Sequence, residues 1–345
     1  VLQSLKTLDP AFAIIEDNQF GSDPNRLPNM EIRGKSSVLG LRDELDADPN
    51  QPLFILDGFE SSLAVINDLD INRVASITIL KDAASTAIYG SKAANGVIVV
   101  ETVKPEAGKL QVNYTGNMNF SMPDLSSYNL MNAREKLEFE RLAGRYEPAS
   151  WSAVSEVEMN ELYNEKLRAI ESGVDTYWLS KPLQTPVTHR HSLSMEGGDE
   201  ALRYSLGVNY SSEPGVMKES DRTSMGLSLN LQYRRKKWNI GNQLSLSNTK
   251  GNNSPYGIFS TYTRLNPYYR VKDEDGNYTK LIEHKGVGAG TQRVMVTNPL
   301  YNVQFPYKDL TENFSVTDNL SIECAIKENL RVNVAASLTK GTARS

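Results

Sequence analysis

Cysteine is almost absent from this sequence. Cys324 is the only one, so no disulfide bond can form within the chain, and a single thiol neither indicates nor excludes an oxidising compartment. Positive charge is not in excess either, because the 37 Lys and Arg residues are outnumbered by 42 Asp and Glu residues, for a net charge of −5. This balance argues against nucleic acid as the main partner, since phosphate binding requires a concentrated basic surface.

Long apolar runs are missing as well. No stretch approaches the roughly 18 consecutive apolar residues that indicate a transmembrane helix. A membrane barrel is not excluded by this, because its strands bury only alternate residues. The sequence also starts at Val1, with no initiator Met and no export signal. For a protein of the cell envelope, we therefore expect it to be a processed or excised piece.

Strict alternation of apolar and polar residues is what the sequence has instead. In residues 110–122 the polar positions carry only Gln, Asn, Thr and Ser, and the alternate positions are Leu110, Val112, Tyr114, Gly116, Met118, Phe120 and Met122. Side chains of a strand point alternately to opposite faces, so this pattern predicts a strand with one apolar face. It is longer than the usual five or six residues of a globular strand and reaches the roughly 9–11 that cross a bilayer.

The same alternation predicts six further strands, at residues 189–196, 202–211, 224–234, 238–248, 313–326 and 330–339. Short turns alternate with long connections, which we place at residues 123–188, 212–223 and 250–312. Short turns at one end and long loops at the other are typical of outer-membrane barrels. The competing interpretation is a soluble antiparallel β protein, such as a glycan-binding surface module with an α/β cap.

The first 108 residues predict a different, compact α/β unit. Short apolar runs predict strands at residues 53–57, 76–80 and 97–100, with short helices at residues 70–74 and 83–89. The predicted fold class is therefore an α+β domain followed by antiparallel transmembrane β-barrel strands.

The connection at residues 123–188 is predicted to contain two helices. One spans residues 133–143 and is capped by Asn129 or Asn132. The other has an apolar face that runs from Met159 to Ile170, and the capping box Ser155-x-x-Glu158 marks its start.

Candidate sites for chemistry are few. His189 and His191 lie on one face of a predicted strand and could share a metal, although strand-end histidines without a metal are the competing interpretation. The segment Asp273-Glu-Asp-Gly-Asn277 could be a calcium loop, but it lacks the distal bidentate Glu, which favours a hairpin turn. No Ser/His/Asp or Cys/His set is assembled. We predict that the chain is not an enzyme and has no cofactor, metal site or catalytic residue.

Four motifs of the α/β unit occur in a characteristic order: Ile32-Arg-Gly34, Pro52-Leu-Phe-Ile-Leu-Asp-Gly58, Val74-Ala-Ser-Ile-Thr-Ile-Leu-Lys-Asp82 and Ala87-Ile-Tyr-Gly-Ser-Lys-Ala-Ala-Asn-Gly-Val-Ile98. Together they closely resemble the plug domain of the SusC/RagA family of TonB-linked outer-membrane transporters. Three later segments resemble the early barrel of that family: Met195-Glu-Gly-Gly198, Tyr204-Ser-Leu-Gly207 and Asn298-Pro-Leu-Tyr301. The resemblance is strongest over residues 30–120.

The resemblance implies a domain division and a function. Residues 1–108 would be an N-terminally truncated plug domain, and residues 109–345 the first part of a barrel, with about seven of roughly 22 strands. The function implied is TonB-dependent import of a bulky nutrient, an oligosaccharide or a peptide, across the outer membrane of a Gram-negative bacterium. The implied partners are a SusD-like surface lipoprotein, the TonB–ExbB–ExbD complex and outer-membrane lipid.

Two sets of site residues follow. The plug motifs supply residues with an expected structural or gating role: Arg33, Gly34, Asp57, Gly58, Lys81, Asp82, Tyr89, Gly90, Asn95 and Gly96. The polar face of the strands supplies residues expected to line the lumen: Asn113, Asn117, Asn119, Asn209 and Gln243.

Overall fold

The computed structural model describes residues 12–15, 23–26, 29–32, 51–82, 86–148, 153–287, 292–327 and 329–345. The strands of these residues form four sheets. Two sheets are antiparallel pairs: β1 (Phe12–Ile15) with β2 (Asn29–Ile32), and β12 (Leu281–Val287) with β13 (Gln292–Thr297). The other two confirm the predicted fold class, an α+β unit followed by long antiparallel strands. Among the described residues, no helix is long and apolar enough to cross a membrane.

The N-terminal unit is built on a four-stranded sheet. Its strands are β3 (Leu53–Leu56), β4 (Phe59–Ser61), β5 (Val74–Leu80) and β6 (Val97–Thr102), in the order β4-β3-β6-β5. Helix α1 (Leu63–Asp68) begins after its N-cap Ser62 and packs on this sheet. Ile66 of the helix and Phe54, Ile98 and Val100 of the sheet form the core, which explains why β3 and β6 are nearly continuous apolar runs.

Parts of the N-terminal unit differ from the prediction. In place of a helix at residues 83–89 there is a 3-10 helix at Ala87–Ala93, interrupted at Gly90, while residues 83–85 lie outside the described part of the chain. The helix expected at residues 70–74 is a 3-10 turn, Ile71–Arg73, capped by Asp70 as predicted. The sequence pattern does not predict β4 or α1, because elements of three and six residues are too short to show a period.

All seven predicted long strands are confirmed and form one antiparallel sheet, which we call the long sheet. Its strands follow chain order: β7 (Gly108–Phe120), β8 (Val187–Gly198), β9 (Leu202–Pro214), β10 (Asp221–Arg235), β11 (Trp238–Asn253), β14 (Asp309–Lys327) and β15 (Leu330–Arg344). Tight turns join them at one end, the turn end. The connections at the other end, the loop end, are residues 121–186, 215–220 and 254–308. The second and third are shorter than expected, because the alternation continues there in mostly polar residues, whereas the first has the expected length and begins two residues earlier.

The register gives the long sheet two different faces. One cross-strand row is almost entirely apolar: Tyr114, Leu193, Val208, Leu227, Leu246 and Val316. The neighbouring row on the opposite face is small and polar: Asn113, Ser194, Gly207, Ser228, Ser245, Thr317 and Thr339. Within the apolar face, Asn242 Nδ2 donates a 2.6 Å hydrogen bond to Asp318 Oδ1, so that these two side chains satisfy each other.

The two long connections pack together into one lobe at the loop end, comprising residues 121–186 and 254–308. The lobe contains α2 (Ala133–Leu142), α3 (Ala153–Glu171), the single turn α4 (Phe259–Tyr262) and the β12–β13 pair. Its apolar core joins Trp178 and Leu179 of the first connection to Tyr262 and Leu300 of the second. The lobe therefore has a core of its own, separate from that of the N-terminal unit.

The two helices predicted in the first connection are present. The N-cap of α2 is Asn132, one of the two predicted candidates, and it forms a capping box with Glu135. The capping box predicted at Ser155 is wrong, because α3 already begins at Ala153 and Ser155 is a buried residue inside the helix.

Candidate functional site

The N-terminal unit lies against the small, polar face of the long sheet, with a cleft of about 1230 Å³ between them. Strands β3 and β4, helix α1 and Arg73 line one side of the cleft. The other side is lined by neutral residues of the long sheet, which include Ser192, Gly207, Asn209, Gly226, Ser228, Ser245, Ser247, Ser315, Thr317, Asn319 and Thr339. Short hydroxyl and amide side chains can form hydrogen bonds with water or with the N-terminal unit, but they do not reach across the cleft. The few long side chains that do cross it therefore determine how the N-terminal unit is held.

Arg73 is one of these side chains. It ends the 3-10 turn before β5, and its Nη1 donates a hydrogen bond to Ser228 Oγ on β10. The guanidinium lies over Gly207 of β9, where an added Cβ would come within 2.7 Å of Nη1. Burial lowers the pKa of Arg73, and the carboxylates of Asp57 and Asp70 oppose that effect. Gly207 is thus the small residue that allows Arg73 to reach the sheet.

Asp68 and Arg222 form an ion pair across the cleft. Arg222 Nη2 on β10 lies 2.7 Å from Asp68 Oδ2 at the end of α1, and the two side chains are only 7% and 14% exposed. Glu213 of β9 is opposite Arg222 in the register. It also pairs with Arg190 of β8 at 2.6 Å. Charges of alternating sign therefore run from β8 across β9 and β10 to the N-terminal unit.

Asp57 is the third contact. It lies in the left-handed region, with φ of 50°, at the end of β3. Its carboxylate accepts hydrogen bonds from the backbone N of Thr102 at 2.8 Å and from Thr102 Oγ1 at 2.7 Å. Gln243 Nε2 of β11 donates to the same carboxylate at 3.3 Å. Asp57 thus joins the end of β3 to the end of β6 within the four-stranded sheet, and it also contacts the long sheet.

Known proteins resemble this chain in sequence. Residues 1–97 match the family described as "TonB-dependent Receptor Plug Domain". The TonB-dependent receptor SusC of Bacteroides thetaiotaomicron is 30% identical over 213 residues, which cover 59% of this chain and 18% of SusC. The TonB-dependent receptor P26 of Formosa agariphila is 26% identical over 275 residues, which cover 79% of this chain and 26% of P26. The chain thus spans about a quarter or less of the curated relatives that it matches.

Solved structures show the same fold. The RagAB peptide importer in its closed-closed state superposes with a TM-score of 0.71 at 21% identity, over 96% of this chain and 38% of the matched chain. The plug-domain match, the relative SusC and the shared fold together support the SusC/RagA family of TonB-dependent receptors. The matched family is one of receptors and not of enzymes. We now call the N-terminal unit the plug and the long sheet the wall.

The structure places the predicted plug residues at different kinds of position. Arg33 and Gly34 lie outside the described residues. Three motif glycines have positive φ and allow turns that other residues rarely adopt: Gly58, Gly90 and Gly96. Asn95 immediately precedes the last of these glycines, Tyr89 packs beside the plug core, and Lys81 and Asp82 follow the end of β5. Asp57 accepts a hydrogen bond from Gln243 of the wall.

The predicted lumen residues all lie on the polar face of the wall, which is the face that the plug occupies. Asn209 lines the cleft, and Gln243 contacts Asp57. Asn113, Asn117 and Asn119 lie on β7 and are exposed.

The residues with the strongest cross-cleft contacts were absent from the predicted set: Asp68, Arg73, Gly207, Arg222 and Ser228. Each pairs with a residue about 150 positions away in the sequence, so no local spacing indicates the contact. One weak signal is present. Glycine or serine occupies the polar face of three adjacent strands at the same height, and such a run of small residues is typical of close approach by another backbone or side chain.

The predicted histidine pair lies on the apolar face of the wall. The rings of His189 and His191 are 5.4 Å apart, and His191 Nδ1 is 2.7 Å from Tyr114 Oη. Within the described ranges, no group of three or more potential metal ligands is present. The histidines therefore belong to an aromatic cluster near the loop end of β7 and β8.

Proposed function

We propose that this chain supplies the plug, at residues 1–108, and the first part of the barrel wall, at residues 109–345, of a TonB-dependent importer in the outer membrane of a Gram-negative bacterium. The observation that carries the proposal is the position of the plug on the small, polar face of a wall whose opposite face is apolar. An apolar outer face suits lipid, and a polar inner face suits a hydrated lumen. A soluble glycan-binding module would not require an apolar outer face.

The contacts across the cleft suggest how the plug is held and released. In the part of the chain that the structure describes, the contacts that join plug to wall are few and polar: the Arg73 hydrogen bond, the Asp68–Arg222 ion pair and the amide contacts of Gln243 and Asn25. Each can break without exposing apolar core. When Asp68 leaves, Arg222 still faces Glu213, which it then shares with Arg190, so its charge stays partly compensated. A pull on the plug therefore has to overcome a few directional bonds.

The cargo would be a bulky nutrient, an oligosaccharide or a peptide, that passes between the polar wall and the displaced plug. One relative by fold is named a peptide importer, whereas the neutral hydroxyl and amide lining of this cleft also suits a glycan. A SusD-like lipoprotein at the loop end and the TonB–ExbB–ExbD complex at the turn end are the partners that we propose.

Deleting the gene in its host and measuring growth on single glycans and single peptides tests this function. We expect growth to fail on one nutrient class, to return with the intact gene, and to fail in the same way when TonB is deleted. Normal growth on every nutrient, with the protein recovered in the soluble fraction, would contradict the proposal and favour the soluble binding module.

A further inference from the structure

A network of buried charged and hydroxyl groups lies inside the lobe, where its two connections meet. We call it the Lys166 network, and it consists of Glu140, Tyr146, Lys166, Tyr268, Tyr269 and Glu283. The first three belong to residues 121–186 and the last three to residues 254–308. None of these groups faces the cleft between plug and wall, so the proposed import function leaves the network without a role.

Tyrosine hydroxyls surround both carboxylates. Tyr146 Oη donates to Glu140 Oε2 at 2.6 Å, and Tyr268 Oη lies 3.0 Å from each oxygen of the same carboxylate. Tyr269 donates to Glu283. The bond from Tyr268 to Glu140 crosses between the connections, so it fixes the position of one against the other.

Lys166 makes the second crossing contact. Its Nζ, on α3, lies 3.4 Å from Glu283 Oε1 on β12, and the two side chains are 6% and 8% exposed. The same Nζ lies 4.8 Å from the ring centre of Tyr268 and 5.3 Å from that of Tyr146. Burial lowers the pKa of Lys166, and the carboxylates of Glu283 and Glu140 oppose that effect. The ammonium is thus held by groups from both connections.

Such a network adds little net stability. The cost of desolvating buried charges offsets most of their attraction, and apolar residues of similar volume often serve as well or better. Its distinct property is direction, because hydrogen bonds and ion pairs require one relative geometry whereas apolar surfaces can slide. The apolar core around Trp178 already brings the two connections together, and hydrogen bonds from Thr176 and Trp178 to the second connection fix them at that end of the lobe. The Lys166 network adds directional contacts at a second place, between α3 and β12. We propose that the Lys166 network is a coupling device that locks the two connections into one rigid body, so that they move as a unit relative to the wall.

The measurement is the distance between spin labels on the two connections, in the full-length receptor purified in detergent and with Cys324→Ser as background. Glu161 on α3 and Asp275 in the turn before β12 are exposed and take the labels as cysteines. In the unaltered network we expect one narrow distance. Lys166→Met/Glu283→Met removes both charges of one crossing contact and leaves Glu140 with Lys136 and Arg145 as its ion-pair partners. We expect a distribution at least about twofold wider, since α3 can then move relative to β12. Hydrogen exchange in α3 should stay slow, which separates loss of coupling from unfolding.

Two further variants make the outcome decisive. Tyr268→Phe removes the hydrogen bond by which the network crosses to Glu140, keeps the ring, and should also widen the distribution, so it decides the question if the double variant fails to fold. Arg134→Met is the matched control, because the exposed Arg134–Glu171 pair joins α2 to α3 within one connection and should leave the distance narrow. Equal, narrow distances in all variants would overturn the proposal. The result is independent of whether the receptor imports anything.

Discussion

The plug and the lobe are both held by polar contacts, but in opposite settings. Among the described residues, a few polar side chains of the plug touch the wall, namely Asn25, Asp57, Asp68 and Arg73. The wall side of the cleft between them is lined with small neutral residues. The lobe joins its two connections through a large apolar core with a buried charged network inside it. The first interface can open without exposing apolar core, whereas the second cannot. The comparison indicates that the moving joint of the molecule lies between plug and wall, and that the lobe keeps its shape.

Among the substitutions at the plug–wall interface, removal of Arg222 should destabilise the interface most. Arg222→Met leaves Asp68 buried without its cation, which costs about 3–5 kcal/mol for a buried pair. Hydrogen exchange in residues 63–80 of the plug should accelerate strongly while exchange in the lobe stays unchanged. Lys92→Met is the control, because the Lys92–Glu60 pair of the plug is mostly exposed and contributes at most about 1 kcal/mol. Equal responses to both substitutions would contradict the assigned role of Arg222.

Crowding Arg73 is the next largest effect. Gly207→Ala places a Cβ within 2.7 Å of both Arg73 Nη1 and Ser228 Oγ, so we expect the plug to loosen by about 1–3 kcal/mol. Gly341→Ala is the matched control on the same face of β15, where a Cβ meets no atom closer than 3.6 Å. Denaturant-dependent proteolysis of the plug measures both. If Gly341→Ala loosens the plug as much as Gly207→Ala, close packing under Arg73 is not the cause.

Three buried tyrosines of the lobe should stay protonated at alkaline pH until the lobe opens. Burial, with a further contribution from Glu140 for two of the three, raises the pKa of Tyr146, Tyr268 and Tyr269 above the ordinary tyrosine value near 10. A pKa that is raised in the folded state contributes to the stability of the lobe, and this contribution is complete below about pH 10. It is lost as the pH rises further, because only the opened lobe can release these protons. Ultraviolet titration should show the three ionising late and together, as helix exchange accelerates. Early, independent ionisation would contradict a closed lobe.

The smallest effect belongs to Gln243. Gln243→Leu removes one 3.3 Å hydrogen bond to Asp57 and should weaken plug protection by about 0.5–1.5 kcal/mol. Asp57→Ala should cost more, about 1–3 kcal/mol, because it also strips the buried Thr102 of two bonds inside the plug. The rate of amide hydrogen exchange in the plug, measured in both variants, gives the comparison. The reverse order would mean that Asp57 acts mainly on the wall.

Period-2 alternation was enough to predict all seven wall strands and their polar face, since lipid and lumen demand opposite residues at alternate positions. Asn209 and Gln243 could be predicted near the plug for this reason. The pairing of Asp68 with Arg222 could not, because it depends on how the plug is rotated inside the wall and joins residues 154 positions apart. The Lys166 network could not be predicted either. Lys166 lies on the buried face of α3 with apolar residues, and the sequence pattern of one helix does not show which residues of the other connection pair with it.

The central claim is that the plug rests against this wall and must leave it for import. Joining the two directly tests it: Asp68→Cys/Arg222→Cys, with Cys324→Ser, is treated in cells with a short, thiol-cleavable bismaleimide. We predict that the double variant still imports, that the reagent links plug to wall and stops uptake, and that cleaving the linker restores uptake. Failure to cross-link, or uptake that continues with the plug linked, would contradict the account.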